Sequence, residues 1–70
     1  MRFQSSDRLE PEHIGRRVTV RRRLPDGRAS DVIGILESLD ERTLKVRRKD
    51  GTLIEVPLDE VTAARVVRAR

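Results

Sequence analysis

Six cations are spaced as if to act together. Arg17, Arg21 and Arg23 share one parity of an alternating run, and Lys45, Arg47 and Lys49 share one parity of another. In an extended strand, residues two apart point to the same face. Each trio therefore projects outward, from a first and a third strand. If the two trios were adjacent they could hold phosphates or carboxylates, which Arg forks grip bidentately. Arg48 and the tail arginines Arg65, Arg68 and Arg70 add charge. The acids Asp31, Glu37 and Glu55 are interleaved with these cations and can neutralise them across strands. Phe3 is the one aromatic residue, so the stacking platform typical of single-strand binders is missing. A solvated, ion-paired face is the stronger expectation, and nucleic-acid binding the weaker.

Other chemistry is sparse. The chain has no cysteine, hence no thiolate nucleophile, disulfide or thiolate metal site. His13 is the single histidine, and one imidazole without neighbouring ligands makes a poor zinc site. The adjacent acids Asp40-Glu41 and Asp59-Glu60 read as turn and cap residues rather than acid–base pairs. Four glycines are scattered one per turn or bend, so no phosphate-cradling loop is present. The expectation is no catalytic residue, no metal and no cofactor in this chain.

Seventy residues make at most one domain, with a small core. The net charge of +4 is moderate, and arginine outnumbers lysine fourteen to two. A GC-rich coding bias accounts for that ratio as readily as anion recognition does. No apolar run is long enough to span a membrane. The polar start lacks the apolar core of a signal peptide, so a cytoplasmic location is expected.

The elements that must position these residues are short. Residues 1–8 read as a flexible leader and 9–70 as one barrel domain. Leu9 to Gly15 suits one helical turn, entered through Pro11 and left at Gly15. From Arg16 the period becomes two, with Val18, Val20 and Leu24 inward. Arg22 breaks that parity where the strand leaves the core. Pro25-Asp26-Gly27 is a turn. Asp31 to Leu39 is apolar on both parities, which implies burial on both faces or a bend at Gly34. Asp40-Glu41-Arg42 is a tight connection. Thr43 to Lys49 alternates, with Leu44 and Val46 inward. Asp50-Gly51 marks a hairpin, and Ile54, Val56 and Leu58 continue inward beyond it.

Residues 57–70 carry a helical propensity: Pro57, then Asp59 and Glu60, then late arginines. A barrel needs a closing strand instead, because an unpaired edge is a liability. The reading adopted is a turn at Leu58 to Val61 and a strand through Ala64-Arg65-Val66-Val67. The sum is an all-β fold: a small five-stranded SH3-like or Sm-like barrel with a short N-terminal helical turn.

Three stretches then carry a family likeness. They are Ile14-Gly15-Arg16-Arg17-Val18-Thr19-Val20-Arg21, Asp31 to Asp40, and Leu44 to Pro57 followed by Val61 to Val67. Together they resemble the SH3-like domain at the N-terminus of some actinobacterial GNAT-family acetyltransferases. Gly34-Ile35-Leu36 and Val56-Pro57-Leu58-Asp59-Glu60-Val61 are also similar to the C-terminal barrel of RimP-type ribosome maturation factors.

The first resemblance implies a non-catalytic accessory module that docks on its own acetyltransferase domain or on a partner protein. Ile33, Ile35 and Leu53 are the docking candidates, although burial within the barrel is the stronger expectation for Ile33 and Ile35. The second implies an RNA- or ribosome-binding barrel that uses the six outward cations. Pairing of edge strands into a homo-oligomer is a third possibility.

Overall fold

A computed structural model describes residues 9–67. The leader assigned to residues 1–8, and Arg68 and Arg70, lie outside the described residues.

The N-terminal turn is a three-residue 3-10 helix, Pro11–His13. Glu10 precedes it; its backbone N–H donates to His13 Nδ1 at 3.0 Å. Gly15 leaves the turn at φ +95°, in the left-handed region that a side chain disfavours. Its N–H donates to the carbonyl of Leu36 at 2.8 Å, which ties the turn to the sheet.

Five antiparallel strands follow: β1 Arg17–Arg23, β2 Ala29–Leu39, β3 Thr43–Arg47, β4 Leu53–Pro57 and β5 Val61–Val66. Their order in the sheet is β4-β3-β2-β1-β5. The buried core is wholly apolar: Val18, Val20, Val32, Leu36, Leu44, Val46, Val56 and Ala64. Every strand contributes, so the sheet curls around a single cluster.

The long strand β2 makes the curl possible. Its first part pairs with β1, from Ala29 opposite Arg23 to Ile35 opposite Arg17. Its last part pairs with β3, from Ile35 opposite Arg47 to Leu39 opposite Leu44, with a register shift between Leu36 and Ser38. The two halves meet at Ile35, which pairs with both neighbours, next to Gly34. A Cβ at Gly34 would collide with the backbone carbonyl of Arg47 and lie 2.9 Å from Val46 Cγ1. Glycine is thus required by close approach of a neighbouring strand rather than by an unusual φ.

Burial of β2 on both faces is corrected. Val32, Gly34 and Leu36 face the core, while Ile33 and Ile35 are 53% and 37% exposed. The bend allowed by Gly34 accounts for this strand; the second apolar parity is a surface feature.

The segment after Pro57 is turn plus strand. A 3-10 turn, Leu58–Glu60, leads directly into β5. The strand begins at Val61, three residues before the expected Ala64. Pairing with β1 puts Ala64 opposite Val20 and Val66 opposite Val18, which covers the flank of the core. That burial overrides the local helix preference. β5 closes onto β1 and not onto β4, so β4 and β5 are the two edges of the sheet. A bulge between Arg21 and Arg22 brings Arg22 opposite Val61. There its Nη1 lies 3.8 Å from Glu60 Oε1, which explains the break in apolar parity.

Candidate functional site

The outer face of the sheet is where cations and exposed aliphatic residues meet. Antiparallel register sets the neighbours. Arg17 lies opposite Ile35, Ile35 opposite Arg47, and Arg47 opposite Leu53. The row thus alternates between cation and aliphatic side chain across β1 to β4. Leu53, at 42% exposure, extends the exposed pair Ile33 and Ile35.

Part of this face is concave. An open groove of about 570 Å³ has Ile33, Gly34 and Ile35 as its floor. Arg17 walls it on one side; Arg47 and the hairpin residues Arg48, Lys49 and Asp50 wall it on the other. Over residues 29–34, β2 is paired with β1 alone, because β3 joins it only at Ile35. The groove therefore runs beside an open stretch of the central strand.

The walls are held by local chemistry. Arg47 Nε and Nη2 donate to the two carboxylate oxygens of Glu37 at 3.1 and 3.2 Å. Its Nη1 donates to the carbonyl of Gly51 at 3.1 Å. This bidentate pair holds the Glu37 carboxyl below its ordinary value of 4.5 and raises the Arg47 guanidinium further. In the hairpin, Asp50 Oδ1 accepts from the Thr52 backbone N–H at 2.9 Å. That bond, with one from the Thr52 side chain, lowers the Asp50 carboxyl. Asp50 is thus engaged within its own turn. Among the described residues, Arg17, Arg48 and Lys49 have no carboxylate within ion-pairing distance.

The six cations singled out by sequence are therefore divided. Arg17, Arg47 and Lys49 line the groove, and Arg48 joins them. Arg21 is spent on Asp31, at 3.1 and 3.4 Å. Arg23 is at the far end of β1, donating to the Gly27 carbonyl at 3.4 Å. Lys45 is half-buried opposite Glu55. Lys49 sits in the hairpin turn, not on the third strand as its parity implied, because β3 ends at Arg47. The strand members of the two trios share a face, but β2 separates them and supplies both pairing acids, Asp31 and Glu37. The sequence offers Ile33 and Ile35 as docking candidates, with burial in the barrel as the stronger expectation for both; their exposure corrects that expectation. An apolar residue on the outer parity of a strand looks like core, because parity alone does not say which face is covered.

Elsewhere, His13 and Asp40 serve the backbone. His13 accepts the Glu10 N–H. Asp40 accepts from the N–H groups of Arg42 and Thr43, at 2.8 and 2.9 Å, and its carboxyl is lowered by them. Among the described residues no three His, Asp or Glu side chains converge as metal ligands would. Nor is any helix there long and apolar enough to cross a membrane.

Comparison with known proteins returns one family. The model of the Rv0428c N-terminal Sm-like domain matches residues 12–65, more than three quarters of the chain. No curated protein matches, and no solved structure does.

Proposed function

The chain belongs to the family of the Rv0428c N-terminal Sm-like domain, and from that membership we propose that it is a non-catalytic docking module whose outer sheet face engages a protein partner. An Sm-like domain of this size is a small interaction module. The observation that carries the protein-docking reading is the exposure of Ile33, Ile35 and Leu53 on one face. Grouped aliphatic surface of this kind marks interaction sites more often than isolated exposed residues do. The likeness to GNAT-associated barrels makes an acetyltransferase domain the partner to test first.

Isothermal titration of the chain with a GNAT-family acetyltransferase domain tests this reading. Saturable binding is expected, and loss of binding in the I33D/I35D double variant, with circular dichroism unchanged. Absence of binding by the folded wild-type chain rejects the acetyltransferase as partner.

Arg17, Arg48 and Lys49 around one groove favour a second reading, an RNA-binding barrel. Single-stranded RNA held by three such cations would show a salt slope of about −2. A filter-binding series with an uridine oligomer across salt concentrations measures it. Replacing Arg21 and Arg47 by Glu abolishes binding if the whole outer face is used; unchanged affinity rejects that use.

A further inference from the structure

The chemistry of the groove narrows what it can hold. This step rests on the docking reading above. The floor is aliphatic and holds no ring on which a nucleobase could stack. The floor can bury an aliphatic side chain of a ligand, which is favourable in proportion to the apolar area covered. The rim is cationic, and its one acid, Asp50, is turned toward Thr52. Arg47 is fixed by Glu37 and Gly51 and forms a wall. Among the described residues, the rim charges left for a ligand are those of Arg17, Arg48 and Lys49. Two of these are guanidiniums, whose planar forks match carboxylates. The open stretch of β2 beside the groove suits an extended chain, which can pair with an exposed strand edge.

We infer that the groove over Ile33 and Ile35 takes an extended acidic peptide segment, with an aliphatic side chain on the isoleucine floor and carboxylates at Arg17, Arg48 and Lys49. The segment belongs to the protein partner. RNA would satisfy the cations but leave the aliphatic floor uncovered.

The test is an amide-resolved NMR titration of the whole chain with an eight-residue peptide of alternating glutamate and leucine. Amide shifts are expected at Ile33, Ile35 and Arg47 to Asp50, and not at Arg23 or Arg28. Affinity should fall at least about tenfold when the leucines become serines, and similarly in I33S or R17E. Both side chains are exposed, and unchanged spectra away from the groove show that each variant is folded. Equal affinity of the glutamate–serine peptide overturns the proposal, because charge alone would then explain binding. A lysine–leucine peptide that shifts the same amides more strongly overturns the acidic class and leaves the docking reading intact. An uridine oligomer that displaces the peptide with higher affinity overturns it in favour of RNA. If no peptide shifts these amides while the acetyltransferase domain still binds, the groove assignment fails alone. If the peptide binds and the acetyltransferase domain does not, the choice of partner fails alone.

Discussion

The two hairpins of this protein are built from nearly the same parts and end in different surroundings. The first, between β1 and β2, runs Leu24-Pro25-Asp26-Gly27-Arg28; the second, between β3 and β4, runs Arg48-Lys49-Asp50-Gly51-Thr52. In both, the first residue's N–H donates to the carbonyl of the fifth, at 2.7 and 2.8 Å. In both, the aspartate accepts from a backbone N–H two residues on, and the glycine takes a positive φ of 92° and 95°. Each hairpin is followed or preceded by a bidentate Arg–acid pair across strands, Arg21 with Asp31 and Arg47 with Glu37. Local sequence explains the two turns: an Asp-Gly pair supplies the side-chain acceptor and the left-handed residue that three-residue hairpin loops need.

The difference lies in one arginine and in what lies beneath. At the first hairpin, Arg21 binds the acid and Arg23 reaches the turn glycine. At the second, Arg47 does both. That side chain is held from two ends, and the hairpin it steadies walls the groove floored by the bend of β2. Equivalent turns thus acquire different roles through the tertiary position of a third element.

The substitution expected to break this relation most severely is Gly34→Ala. The added methyl meets the Arg47 carbonyl and Val46 Cγ1, so β3 and its hairpin must move. Overpacking of this kind costs about 1–3 kcal/mol, and backbone contact places this site at the upper end. A urea melt measures the loss; a stability near wild type would show that the bend does not depend on close approach. Next in size are Gly27→Ala and Gly51→Ala. Neither meets a neighbouring atom, so each costs only the left-handed backbone strain, about 1–2 kcal/mol. The two should agree; a much larger loss at Gly51 would mean the hairpins are not equivalent.

Smaller again is Arg47→Ala, expected to lower the melting temperature more than Arg23→Ala, since it removes two interactions instead of one. Equal shifts would deny Arg47 its double role. The smallest effect is that of pH. Glu37 and Asp50 are held below their ordinary values of 4.5 and 3.8. A depressed folded-state pKa adds stability that is complete above the ordinary value and is lost as pH falls through the folded one. Acidification below those values should therefore loosen the second hairpin, visible as shifting amides from Arg47 to Thr52. D50N should remove the share due to Asp50.

Much of the architecture was legible beforehand because its signals are local. Period-two alternation placed Val18, Val20, Leu44, Val46 and Val56 in the core, and all five are buried there. Turn residues marked both hairpins. The segment after Pro57 was legible only through a global argument, the need for a strand on the β1 flank, because its local propensities favour a helix. Lys49 was misplaced because parity continues past the residue where pairing stops.

The candidate site was half legible. The sequence showed that cations alternate outward and that acids could answer them, and Arg21–Asp31 and Arg47–Glu37 are such pairs. It did not show which cations meet. By itself the sequence determined strand periods, turn types and the absence of a thiol, since these depend on residue identity and spacing along the chain. Only the tertiary structure decided that Ile33 and Ile35 face outward, that β2 lies between the two basic strands, and that Arg17 meets Arg48 and Lys49 across one groove. Those relations join residues far apart in sequence through a bent strand, and the bend follows from how closely Arg47 and Val46 pack on Gly34.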